Sequence, residues 1–191
     1  MDKKNITILP CISAKKWEQW LAKNHSKSEG IWLQIYKKDS AIKTITYAEA
    51  LDEALCYGWI DGQKNAHDLL SWIQRFTPRR TKSIWSKRNR EHILRLTKQK
   101  RMKPRGLQEV ASARKDGRWD AAYDSPRDAK VPDDFLALLH KNKKAETFFK
   151  TLNKSNLYSV IWRLQTAKRP ETRARRMVKI IEQLTHGKKV I

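Results

Sequence analysis

Trp17, Trp20 and Leu21 fall at i, i+3 and i+4 behind Ser13, a residue suited to cap, and this spacing predicts a helix. Gly30 opens Ile31–Tyr36, an aromatic and β-branched run that reads as a strand. Thr46 followed three residues later by Glu49 is a capping-box pattern. It predicts a helix from Tyr47 to about Tyr57, with Ala50, Leu51, Ala54 and Leu55 on one face and Gly58 as the stop. Trp59–His67 and Ser71–Thr77 read as a hairpin that Pro78 ends. Ser83 or Ser86 is expected to start a helix carrying Ile93, Leu94 and Leu96. Pro104 suits the first position of another, with Leu107, Val110 and Ala111 on one face and Gly117 closing it.

Beyond a turn-rich connector at 116–132 the pattern becomes helical throughout. Pro132-Asp133-Asp134 starts a helix through Leu136 and Leu139, and 144–152 makes a short second one. Ser155 or Asn156 opens a third, with Leu157, Val160, Ile161 and Leu164 inward. Pro170-Glu171 opens the last, with Ala174, Met177, Ile181 and Leu184 inward and Gly187 at its end. These elements predict an α+β fold. A small, mainly antiparallel sheet with helices occupies the N-terminal half, and an all-helical C-terminal region ends in an αα-hairpin. The expected division is a core domain over 1–118 and a helical domain over 119–191, with no flexible linker between them.

Charge sharpens this picture. The 191 residues carry a formal net charge of +22. Residues 61–105 hold fourteen Lys or Arg against three Asp or Glu, and residues 141–191 hold the same numbers, so each block nets +11. A mildly acidic stretch lies between them. Such a field attracts polyanions, nucleic acid first and then anionic membrane surface or acidic protein; the plainer alternative is a solubilising surface. Cys11 and Cys56 are far apart and form no paired motif, which suits reduced thiols. The N-terminus has no apolar signal core, and no run approaches the length that spans a bilayer, so a cytoplasmic location is expected.

Familiar local chemistry is missing. The five histidines are scattered, no Cys-x-x-Cys exists, and no metal site is expected. No Gly-rich phosphate loop and no Gly-x-Ser-x-Gly elbow occurs, and no cofactor is expected. A non-enzymatic role is the expectation.

Two constellations stand out: Ala54–Gly62, which reads Ala-Leu-Cys-Tyr-Gly-Trp-Ile-Asp-Gly, and Phe76–Asn89, which contains Thr77-Pro78-Arg79-Arg80 and Ser83-Ile84-Trp85-Ser86. Together with Arg101–Leu107, Asp116–Trp119, Ala121-Ala122-Tyr123 and Ala167–Arg176, they closely resemble the YdeI/OmpD-associated family, whose members are labelled bacteriocin-protection proteins. The resemblance implies no established catalytic activity. It implies a link to antimicrobial-peptide defence or to an outer-membrane porin. A chain of this charge repels cationic peptides and lacks an export signal, so an indirect stress role from the cytoplasm is the version that fits.

The candidate ligand residues are Trp59, Asp61, Arg79, Arg80, Ser83, Trp85, Ser86 and Asn89. Guanidinium forks and hydroxyls at a helix start receive oxyanions, and the two tryptophans offer flat walls. The competing structural reading makes both tryptophans core and pairs Asp61 with Arg79. Cys56, near a helix C-terminus, reads as a buried structural thiol. The polyanion candidates are Lys168, Arg169, Arg173, Arg175, Arg176 and Lys179 on and before the last helix; the plainer reading is a solvated basic face. The leading expectation is a polyanion-binding protein, with nucleic acid as the partner. The alternatives are a small-molecule or anion binder or enzyme around Trp59, Asp61, Arg79 and Trp85, and a protein–protein adaptor.

Overall fold

The computed structural model describes residues 7–10 and 12–190; residues 1–6 of the N-terminal stretch, and Cys11, lie outside the described residues. The described elements are β1 (Ile8–Pro10), α1 (Ala14–Asn24), β2 (Ile31–Tyr36), α2 (Tyr47–Cys56), β3 (Trp59–Ala66), β4 (Ser71–Pro78), α3 (Lys87–Lys98), α4 (Pro104–Lys115), α5 (Asp133–Leu139), α6 (Lys143–Lys150), α7 (Lys154–Gln165) and α8 (Pro170–Thr185). A 3₁₀ turn at Lys38–Ser40 follows β2. The fold is α+β, with one four-stranded, mostly antiparallel sheet. The chain forms two compact units. The first comprises the described residues through Ser83 together with Asn89–Asp120; the second comprises Ile84–Arg88 and the residues from Ala121 onward.

In the first unit the sheet order is β1-β2-β4-β3. β2 lies inside the sheet, and five of its six residues are buried. β1 pairs parallel to it, Leu9 opposite Leu33. The β3–β4 register slips between Asp61 and Lys64. Gln74, nearly fully buried, repairs that slip by donating from Nε2 to the carbonyls of Gly62 (2.9 Å) and Gln63 (3.1 Å). A buried amide is thereby satisfied where the ladder fails. The predicted caps of α1 and α2 form: the Ser13 side chain accepts from the Lys16 N–H, and Thr46 and Glu49 complete a reciprocal capping box. Gly58 ends α2 at φ +73°, a left-handed conformation open to glycine without strain.

Trp17 and Leu21 of α1 are fully buried. Trp17 stacks on Trp20 at 5.3 Å, meets Trp59 edge-on at 6.4 Å, and donates from its indole to Ala50 O at 3.0 Å. One ring thus ties α1 to the sheet and to α2. Asp52 of α2 fastens α3: His92 Nδ1 lies 2.7 Å and Arg95 Nη2 2.6 Å from its carboxylate. Burial would raise the Asp52 pKa, but the hydrogen bonds from Arg95 and His92 outweigh it and hold the carboxyl below its ordinary value.

In the second unit α5–α8 enclose a core of Phe135, Leu139, Ala145, Val160, Leu164, Ile180, Leu184 and Val190. Phe135 rather than Leu136 is buried alongside Leu139 in α5, and Ile180 is the buried residue of α8 ahead of Leu184, with Met177 and Ile181 at the margin. α6 and α7 each begin one residue earlier than the nearest sequence-based start. Asn142 and Asn153 are their caps, accepting from the N–H groups of Ala145 and Asn156. Of the two expected openers, Ser86 stands directly before α3, which begins at Lys87, and Ser83 does not. Ser83 instead closes a turn, its Oγ accepting from Arg80 N at 3.1 Å.

Candidate functional site

The structure assigns the eight ligand candidates to different compact units. Trp59, Asp61, Arg79, Arg80, Ser83 and Asn89 belong to the first; Trp85 and Ser86 belong to the second. Trp59 is 1% exposed, donates to His25 O at 3.0 Å and meets Trp20 edge-on at 5.7 Å. It is a core residue. Asp61 accepts a 2.7 Å hydrogen bond from the Tyr47 hydroxyl, the place the sequence reading gave to Arg79. Arg79 is buried, and its N–H donates to Gly58 O at 3.0 Å, closing the hairpin base. Asn89 is buried in α3, while Arg80 stays exposed. Trp85, also 1% exposed, presents no open ring face.

The six basic candidates sort into two kinds. Lys168, Arg169, Arg175 and Lys179 are exposed. Arg173 and Arg176 are half-buried and engaged with protein. Arg173 forms a two-pronged ion pair with Asp134 (2.7 and 3.0 Å) and donates to Leu164 O at 2.9 Å. Arg176 donates to Arg163 O and to Thr166 Oγ1. Both guanidiniums donate to carbonyls in the last turn of α7, where the intrahelical ladder ends; Leu164 O also accepts from Ala167 N at 3.3 Å. They staple α8 to α7 and are withdrawn from the solvated stripe.

A groove that the sequence reading passed over lies in the second unit. It encloses about 420 Å³ and is lined by Tyr123, Tyr158, Ser159, Trp162 and Arg163. Tyr158 and Trp162 lie at i and i+4 on α7, and Lys154 stands one turn before them. Trp162 is 37% exposed, a large amount for an indole, and meets Tyr123 edge-on at 6.2 Å. The wall is held in place by its backbone. Ser86 and Tyr123 form an isolated parallel bridge, with Lys87 N to Tyr123 O at 2.8 Å and Tyr123 N to Trp85 O at 3.0 Å. Asp124 N donates to Gln165 Oε1, Gln165 Nε2 donates back to Asp124 Oδ2, and Lys87 Nζ sits 2.5 Å from Asp124 Oδ1. The Lys87 contact, aided by Gln165, holds the Asp124 carboxyl below its ordinary pKa. The Tyr158 hydroxyl donates to Asp124 O at 2.9 Å; burial, with Tyr123 and Asp124 nearby, pushes the phenol up to about 12. The phenol therefore stays neutral and adds no negative charge to the groove. The signal in the sequence was a pair of aromatics one turn apart on the face of α7 opposite Leu157, Val160, Ile161 and Leu164.

Residues 9–109 match a family model described as a domain of unknown function (DUF8412). Residues 128–187 match one described as bacteriocin-protection, YdeI or OmpD-associated. The chain belongs to the DUF8412 family, and its C-terminal region is of the YdeI/OmpD-associated type. The Ala54–Gly62 and Phe76–Asn89 constellations fall within the first match, and the Ala167–Arg176 segment falls within the second. No curated protein and no solved structure matches the chain. Among the described residues no helix is long and apolar enough to cross a membrane.

Proposed function

We propose that this protein binds single-stranded nucleic acid without chemical turnover, and that the Tyr123–Tyr158–Trp162 groove is where bases stack. The carrying observation is the half-open indole of Trp162 in an aromatic groove with Arg163 in its wall, on a chain of net charge +22. Stacking on exposed aromatics combined with a cationic track is how proteins hold single strands without reading sequence. Lys87 and Lys154 flank the groove, and exposed Lys168, Arg169, Arg175 and Lys179 supply further backbone contacts. A cytoplasmic stress role is the form in which the bacteriocin-protection label fits so basic a chain, since direct capture of cationic peptides would be opposed by its field.

The test is fluorescence anisotropy with single-stranded and duplex DNA and RNA across a salt series. Each base–aromatic stack is worth about 1–3 kcal/mol, so Trp162→Ala is expected to weaken single-strand binding roughly 5- to 150-fold. Lys179→Gln should lower the salt slope by about one while sparing the single-strand preference. Equal affinity for single strands and duplex, with Trp162→Ala indistinguishable from the parent, would sink the reading and leave a generic basic surface.

A further inference from the structure

The first unit carries a double-chambered cleft that the nucleic-acid reading does not use. One chamber, of about 620 Å³, is lined by Ala22, His25, Tyr57, Lys103, Pro104, Arg105 and Gln108. The other, of about 450 Å³, shares His25, Tyr57 and Arg105 and adds Ser26, Lys27, Ser28, Glu29, Gly58, Trp59 and Pro78. Two stretches singled out in the sequence, Ala54–Gly62 and Arg101–Leu107, meet here with the chain that follows α1. Volumes of this size suit one small molecule in each chamber, or one molecule across both.

The side chains of the shared wall are engaged with their neighbours. The His25 ring lies 5.2 Å from that of Tyr57, and His25 Nδ1 is 2.9 Å from Leu21 O. A carbonyl partner requires the proton on Nδ1, which leaves Nε2 as the ring atom open to a ligand. The Tyr57 hydroxyl donates to Glu18, and Lys103 Nζ stands 3.6 Å from the same carboxylate and 5.7 Å from the Tyr57 ring centre. Burial and the Glu18 contact push the Tyr57 phenol above its ordinary pKa, so it remains neutral. Arg105 pairs with Glu109 at 2.7 Å and donates to Gln108 at 3.1 Å, which orients its fork along the cleft wall.

The chambers differ in character. The first offers Ala22, Pro104 and the Tyr57 ring; the second offers the hydroxyls of Ser26 and Ser28 and the ammonium of Lys27. The combined lining holds Lys27, Lys103 and Arg105 against Glu29; Glu18 and Glu109, outside the lining, pair with Lys103 and Arg105, so Lys27 is the cation of the three that neither of these carboxylates engages. We infer that this cleft is a binding site for a small organic anion, an apolar ring or short chain bearing one carboxylate or phosphate. The apolar body lies against Tyr57, Ala22 and Pro104, and the anionic head lies toward Lys103 and Arg105.

Phenyl phosphate and benzoate are the probes, with benzyl alcohol and benzylammonium as the neutral and cationic counterparts, titrated into the full chain at near-physiological salt of about 0.15 M. Binding is followed by calorimetry and located by backbone amide shifts. The anions are expected to bind about ten-fold or more tighter than benzyl alcohol, as a charge-assisted contact requires. Shifts should concentrate at 22–29, 57–59 and 103–108. Ala22→Phe, at an exposed helix position where folding is safe, should weaken binding by projecting a ring into the first chamber where the apolar body lies, and Lys103→Gln should weaken it about ten-fold. Trp162→Ala should leave it unchanged, which separates this site from the nucleic-acid groove. Anion binding that ignores Ala22→Phe, shifts spread over the basic surface, or no binding of either anion would each overturn the inference.

Discussion

The close crossing of α2 and α4 yields a sharp stability prediction at Gly106. A Cβ built there would lie 2.2 Å from Cys56 O and 2.9 Å from both Cys56 C and Leu55 O. These are backbone atoms, so no side chain can rotate away. A carbon normally approaches a carbonyl oxygen no closer than about 3.3 Å, so α4 would have to retreat by about 1 Å. The same Cys56 carbonyl accepts from Lys103 N at 3.1 Å, and Glu109, Val110 and Ala113 of α4 are buried beyond it, so the retreat disturbs a hydrogen bond and a packed face together. Overpacking of this kind costs about 1–3 kcal/mol, and the lost hydrogen bond about 1 more. Alanine returns roughly 1 kcal/mol of helix propensity. The net is a loss of about 2 kcal/mol, or a Tm lowered by about 4–8 °C for a chain of this size. Gly117→Ala is the internal comparison: its φ is +75° but nothing lies within 4 Å of the added carbon, so only the left-handed penalty of about 1 kcal/mol applies. Thermal unfolding by circular dichroism reads both. If Gly106→Ala melts at or above the parent, or above Gly117→Ala, the helices are not in the contact described.

Other outcomes follow from the same geometry. The Asp124 carboxyl is held below its ordinary pKa by Lys87 and Gln165, so its contribution is full above the unfolded value of about 3.9 and is lost as pH falls through the lower folded value. Asp124→Asn should therefore lower Tm at neutral pH and flatten its fall in acid; parallel Tm–pH curves for the two proteins would contradict this. Arg176→Ala should cost about 1–2 kcal/mol, because it strips a donor from the Arg163 carbonyl, whereas exposed Arg175→Ala should stay within about 0.5 kcal/mol by the same denaturant titration. Cys56 is fully buried and its thiol is pushed up to about 12, by burial first and Glu53 next. In a Cys11→Ser background, a thiol reagent at neutral pH should label it only as fast as the protein unfolds, and prompt labelling of the native chain would refute that.

The local grammar of this protein was legible in its sequence. Ser13, the Thr46–Glu49 box, Gly58, Pro104 and Pro170 act through hydrogen bonds and torsions within a few residues, so the helix and strand boundaries they mark needed no distant partner. The α+β class followed from those elements, and Cys56 lies buried as read. Pairing and partnership were different. The three-residue β1 is too short to carry a periodic signal and exists through the backbone of β2. Gln74 looked like one polar step in an alternating strand, yet a register slip in the neighbouring strand brings the Gly62 and Gln63 carbonyls, 12 and 11 residues back along the chain, to it. Arg173 and Arg176 read as members of one basic stripe until the end of α7 supplied Leu164 O and Arg163 O, and α5 supplied Asp134, as their acceptors. The aromatic groove arose in the same way: Tyr158 and Trp162 share a helix face by spacing alone, but Tyr123 reaches them through a backbone bridge to Ser86 and a reciprocal amide pair at Gln165. Sequence determines what each residue offers over one or two turns of chain; which donor meets which acceptor across tens of residues is set by packing, because only there are the competing partners brought within hydrogen-bond reach.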